Sequence, residues 1–188
     1  SDWPAKNKIH ATSHLLSSSI FLFILLLALL SIPLLLIKAS RPDLSAWFWT
    51  FSALSLGILS WFGIYTTANK GFGNSLFQCT VQFPLFLSYS MGMSLHNSFA
   101  VLKGWMGRPS DFIRTPKFNT ERKGVWSLNS YLKAEAGWMP LAEALLALYF
   151  LSGILLAVQT HDFGLLPFHL MLAFGFGSIS LYSLVEYL

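Results

Sequence analysis

The densest group of reactive side chains in this 188-residue chain is Phe112-Ile113-Arg114-Thr115-Pro116-Lys117, which puts a ring, a hydroxyl and two cations within six residues. Seven of the twelve Lys and Arg residues fall between Lys103 and Lys133, so most of the formal +4 charge belongs to one polar stretch. Beside apolar segments, such a stretch marks the cytoplasmic side of a membrane rather than a nucleic-acid site. Glu143 is a second candidate, because a carboxylate four residues inside an apolar run is expensive in hydrocarbon. It either lines a wet cavity or pairs at the interface with Lys133 or the helix end. His161 and Asp162 stand side by side, but two neighbours without further ligands favour an exposed polar turn over a metal site. Cys79 is the one cysteine, which excludes an intramolecular disulfide and the zinc and redox cysteine spacings. No Ser-His-Asp nucleophile pattern, Walker-type glycine loop or internal repeat is found.

The elements that position these residues are membrane helices. The chain is 54% hydrophobic and 11% charged, against roughly 45–50% and about 25% for a soluble domain. That excludes a free-standing soluble enzyme. Leu15 to Ile37 is a 23-residue run without a charge, long enough to cross about 30 Å of hydrocarbon. A second uncharged run, 44–65, carries Trp47, Trp49, Trp61 and Tyr65 near its ends and predicts a tight hairpin with the first. The third, 76–95, holds Gln78, Gln82 and a central Pro84, and it passes into an amphipathic stretch in which Leu95, Phe99 and Leu102 share helical spacing. Residues 76–107 therefore form a re-entrant or interfacial segment, and 108–133 a cytosolic loop broken by Pro109, Pro116 and Gly124. Two final crossings, 139–158 and 164–185, form a second hairpin. Gly153, Gly175 and Gly177 suit close helix packing in lipid.

Parity fixes the count. Lys6 and Lys8 place the N-terminus inside, and the basic loop is inside too, so an even number of crossings separates them. The predicted fold is all-α: one membrane domain over 1–188, a multi-pass transmembrane bundle of about four crossings with an interfacial or re-entrant segment. The chain opens Ser1-Asp2-Trp3-Pro4 with no Met and no signal-peptide order, and reads as a piece of a longer protein.

Within this order of elements, the Phe112–Lys117 hexapeptide resembles the gating loop of processive family 2 glycosyltransferases, the group of cellulose, hyaluronan and glucomannan synthases. That loop has the pattern Phe-x-Val-Thr-x-Lys, follows an interface helix and precedes the last two transmembrane helices. Phe112, Thr115 and Lys117 match; Arg114 stands where cellulose synthase has Val. Residues 97–118 are similar to bacterial cellulose-synthase-like members with Arg-Thr-Pro-Lys, and the resemblance covers nearly the whole chain. The Arg114 departure leaves glucomannan-type or other β-glycan synthesis open.

The resemblance implies a hexosyltransferase of the bacterial inner (cytoplasmic) membrane, extending a β-linked polysaccharide from a nucleotide-sugar donor and guiding it across the bilayer. Thr115 and Lys117 would hold the donor diphosphate, Phe112 would pack on the nucleotide or channel entrance, and Arg114 would add a second cation, while the closed loop keeps water from the donor. Glu143 and Trp138 would line the channel, with Tyr149 and Trp61 as further aromatic surfaces. The family's catalytic carboxylates, Asp-x-Asp metal ligands and Gln-x-x-Arg-Trp motif are absent from these 188 residues. They are expected in an upstream cytosolic domain, together with Mg or Mn; this part names no catalytic residue and no metal or cofactor site of its own. The implied partners are the donor, the growing glycan, the bilayer and that upstream domain, with no nucleic acid. A reading from another class keeps only the membrane part: a non-enzymatic subunit or transporter fragment whose basic loop binds lipid or a partner.

Overall fold

A computed structural model describes residues 4–107 and 137–187 of the chain. Among them every regular element is helical: α1 Ala5–Ser17, α2 Ile20–Ser40, α3 Ser45–Ser52, α4 Gly57–Lys70, α5 Leu76–Gly92, α6 Ser94–Trp105, α7 Met139–Gln159 and α8 Leu166–Tyr187. Three of these, α2, α7 and α8, are long and apolar enough to cross a membrane. The chain is a helical membrane protein.

The helices stop where local chemistry stops them. Arg41 precedes Pro42 and leaves the α region at φ −129° and ψ 75°, since a proline disfavours helix in the residue before it. A 3-10 turn, Pro42–Leu44, follows, and Arg41 grips Asp43 through two bonds of 2.9 and 2.8 Å. This forked bond pulls the Asp43 carboxyl below the usual range and raises the Arg41 guanidinium. At the far end of α7, Asp162 N–H donates to Ala157 C=O at 3.0 Å and His161 N–H to Val158 C=O at 3.3 Å, the two bonds of a Schellman cap. The cap's left-handed position is taken by His161, at φ 53°.

The core lies where α2, α5, α7 and α8 meet, around Ala28, Met91, Ala147, Phe150, Leu172 and Phe176. Phe150 and Phe176 stack at 5.6 Å between ring centroids, and Tyr149 Oη donates across to Leu29 C=O at 2.7 Å. In lipid the association of helices rests on close packing rather than on the hydrophobic effect, so small residues decide which faces meet. Gly92 of α5 lies against Gly175 of α8, where a Cβ on Gly92 would stand 2.6 Å from the facing carbonyl carbon and one on Gly175 would overlap the Ser88 carbonyl oxygen. Outward stripes such as Leu141, Leu145, Leu148 and Leu155 on α7 remain exposed, as lipid-facing residues do.

The structure departs from the sequence expectation in the 44–65 run. That run is not one helix folded back on α2. It comprises α3, a 3-10 turn Ala53–Leu56 and the start of α4, with the Ser52 hydroxyl bonded back to Phe48 C=O at 2.7 Å just before the break. α2 packs instead along α6 and α7, and α4 leans on α5 through Phe62 and Tyr65 against Phe83. The physical reason is size: α3 presents bulky, outward Trp47 and Trp49, whereas α2 offers buried Ala28 and Ser31 for close approach. The 76–107 segment comprises two helices: α5 runs unbroken through Gln78, Gln82 and Pro84, and α6 follows after Met93. The amphipathic helix expected over 95–103 is present as α6, but its most buried positions are Ser94 and Ser98, while Leu102 is exposed.

Candidate functional site

The site residues of the Phe112–Lys117 loop, namely Phe112, Arg114, Thr115 and Lys117, lie outside the described residues, as does Lys133. What the structure describes is the pair of helices on either side of that segment.

Glu143 sits one turn inside α7 and is fully buried, with no exposed surface. It therefore stands neither at an exposed helix end nor on the wall of a wet cavity in this structure. Its neighbour is His96 of α6, whose Nδ1 lies 2.7 Å from Glu143 Oε1; the imidazole is about a third exposed. The contact is close enough for an ion pair but off the line of a hydrogen bond, and Glu143 Oε2 has no partner among the described residues. The hydroxyls of Ser94 and Ser98 are buried and unpartnered in the same sense.

A second link joins the same helices. Trp138, the residue before α7, meets Phe99 of α6 edge to face at 5.6 Å, and the Lys103 ammonium stands 4.6 Å from the Phe99 centroid. Trp138 faces outward and is more than half exposed, so it and Glu143 occupy different faces. α7 is pinned in turn to α8, because Ser180 Oγ donates to Pro140 C=O at 2.8 Å. α6 otherwise packs on α2. The His96–Glu143 and Phe99–Trp138 contacts thus tie together the two helices that lead into and out of residues 108–136. Chemically, an imidazole beside a buried carboxylate can share a proton or hold charge at the helix junction. No group of three or more His, Cys, Asp and Glu side chains able to hold a metal occurs among the described residues.

A separate polar node lies towards the other end of the bundle. Ser31 Oγ donates to Ala28 C=O at 2.6 Å and lies 2.9 Å from His169 Nε2. Gly153 makes room for that ring, since a Cβ there would come 2.9 Å from its Cε1 and Nδ1. Beyond it, Lys38 pairs with Asp162 at 2.6 Å. Burial alone would push the Asp162 carboxyl up, but the Lys38 ammonium and the Gly164 N–H together outweigh it and hold the group below its ordinary value. The polar-turn reading of His161 and Asp162 accords with this pair.

Gln78, which stands out as a polar group in an apolar run, belongs to a capping box: its N–H donates to Ser75 Oγ at 3.2 Å and its Oε1 accepts from Ser75 N–H at 2.7 Å. The residues that sequence reasoning missed are Ser31, His169 and Gly92, and the pairing of His96 with Glu143. A single histidine inside the apolar 166–187 run was a signal that could have found His169.

No family model, no curated protein and no solved structure matches this chain.

Proposed function

We propose that this chain is the membrane-embedded part of an inverting family 2 glycosyltransferase that extends a β-linked polysaccharide from a nucleotide-sugar donor and guides it across the bacterial inner membrane. The observation that carries the reading is the placement of Phe112–Lys117 between an amphipathic helix and a terminal hairpin of two spans, α6 before it and α7–α8 after it. The two α6–α7 links support it further, because a loop that closes on a donor needs its two ends held at a fixed separation. In this topology α3 and α4, about 39 Å of helix end to end, supply the fourth crossing, and α5–α6 form the re-entrant or interfacial segment, with α5 lying against the middle of α8. Phe112, Arg114, Thr115 and Lys117 contact the donor, and Trp138 stands at the channel's cytosolic mouth, with Glu143 buried behind it at the α6–α7 junction. The donor's metal belongs to the upstream domain.

The test is incorporation of labelled sugar by the intact native protein in membrane vesicles, supplied in turn with uridine- and guanosine-diphosphate hexoses. The reading predicts a β-glycosidase-sensitive polymer from one donor. Absence of any incorporation across the panel would favour the subunit or transporter reading, in which the basic loop binds lipid or a partner.

A further inference from the structure

α1 is a described element whose role the bundle leaves open. None of the other described helices packs along it, and each of its described side chains is exposed, including Ile9 and Leu16 at 66% and 53%. It is set off from α2 at Ser18 and Ser19, where Ser19 N–H bonds to Leu16 C=O and Leu22 N–H to Ser19 C=O, three residues back instead of four. The first span begins at Ile20, so α1 ends within a few residues of the bilayer surface.

Its sequence is two-sided. At about 100° per residue, Ala5, Ile9, Thr12 and Leu16 fall within an arc of about 60°. Lys6 lies about 60° to one side of Ile9 and Lys8 about 100° to the other, so a lysine flanks each edge of the apolar stripe. α1 contains no acidic residue and no aromatic one. A protein partner's groove is filled by wide aromatic or aliphatic anchors; this narrow stripe between lysines suits shallow seating in a lipid surface.

We propose that α1 lies along the cytoplasmic face of the bilayer, with its Ala5–Ile9–Thr12–Leu16 stripe turned to the acyl boundary and Lys6 and Lys8 bound to the phosphates of anionic phospholipids. The bilayer is already in place through α2, so the surface is met at no cost in association. This inference stands whether or not the chain belongs to a glycosyltransferase.

The full chain, with buried Cys79 replaced by Ala, is reconstituted in bilayers and given single nitroxide labels at Ile9, Leu16, Asn7 or Ala11. Collision with oxygen, which partitions into lipid, is compared with collision with a water-soluble nickel chelate. In bilayers with about a quarter phosphatidylglycerol, labels at Ile9 and Leu16 favour oxygen several-fold more than those at Asn7 and Ala11, and Lys6→Glu with Lys8→Glu lowers the surface-bound population by about fivefold per lysine. Equal ratios around the helix would overturn the proposal by placing α1 in water. Shielding of Ile9 and Leu16 from both reagents would overturn it by revealing a covering protein, and a contrast indifferent to anionic lipid and to both lysines would overturn the phosphate contact.

Discussion

His96 Nδ1 lies 2.7 Å from Glu143 Oε1 and joins α6 to α7 across the two ends of residues 108–136. A carboxylate with no exposed surface, one turn inside a spanning helix, has its described charge partner on a different helix. That geometry makes the pair the most informative target for mutation.

Removing one member of a buried pair strands the other. His96→Ala is expected to lower the stability of the detergent-solubilised protein by about 3 kcal/mol, since it strands a carboxylate with no exposed surface. His96 is a third exposed and can be hydrated when orphaned, so Glu143→Ala costs less than His96→Ala, and Glu143→Gln less again, since an amide keeps the shape and can still meet the imidazole. A double-mutant cycle from thermal melts should show the two changes to be non-additive; strict additivity would mean that the contact carries no energy.

The α5–α8 contact makes a sharper prediction, with an internal control. Gly175→Ala drives a methyl into the Ser88 backbone and should destabilise the bundle by about 1–3 kcal/mol. Gly177→Ala, whose new carbon would meet only Ala147 Cβ at 3.8 Å, should be close to neutral. Equal effects at the two positions would refute the close approach of Gly92 and Gly175.

Asp162 and Lys38 give a pH dependence of defined sign. The folded-state carboxyl is held below its ordinary value, so the link stabilises fully above about pH 5 and fades as pH falls below the unfolded value of about 3.9. Partial exposure limits it to about 1 kcal/mol or less. Melting curves of the native chain and Asp162→Asn should be separated by a constant margin near neutrality and converge in acid. A margin that widened in acid would have the wrong sign.

His161 occupies a left-handed position that L side chains adopt at a cost of about 1–2 kcal/mol. His161→Gly should therefore raise the melting temperature through the cap that ends α7, while His161→Ala leaves it near the native value. A loss of stability on going to glycine would show that the imidazole makes a contribution of its own.

The spans were legible because their signal is local and long. Leu15–Ile37 and the two runs after residue 139 correspond to α2, α7 and α8 within a few residues at their ends, since twenty apolar residues in hydrocarbon leave the backbone no alternative to helix. Packing partners were not legible. Which helix faces α2 depends on matching small residues across the bundle, and Gly92 against Gly175 brings together positions 83 residues apart. Polar residues were visible as anomalies, but their solutions were not: Gln78 satisfies its own helix end, and Glu143 finds His96 across a helix junction. The turn at His161 and Asp162 was legible because two adjacent polar residues between apolar runs have little else to do.

If Phe112–Lys117 acts on a nucleotide-sugar donor, the rate of polymer formation by the intact native protein should exceed that of Thr115→Ala and of Lys117→Ala at matched expression. Loss of the hydroxyl or the cation should lower the rate by about 10²-fold, the scale for removing one donor that stabilises developing charge, with the protein still folded by its melting curve. Polymer formed at the native rate by both variants would contradict the account, since a loop that holds the diphosphate cannot lose both groups without effect.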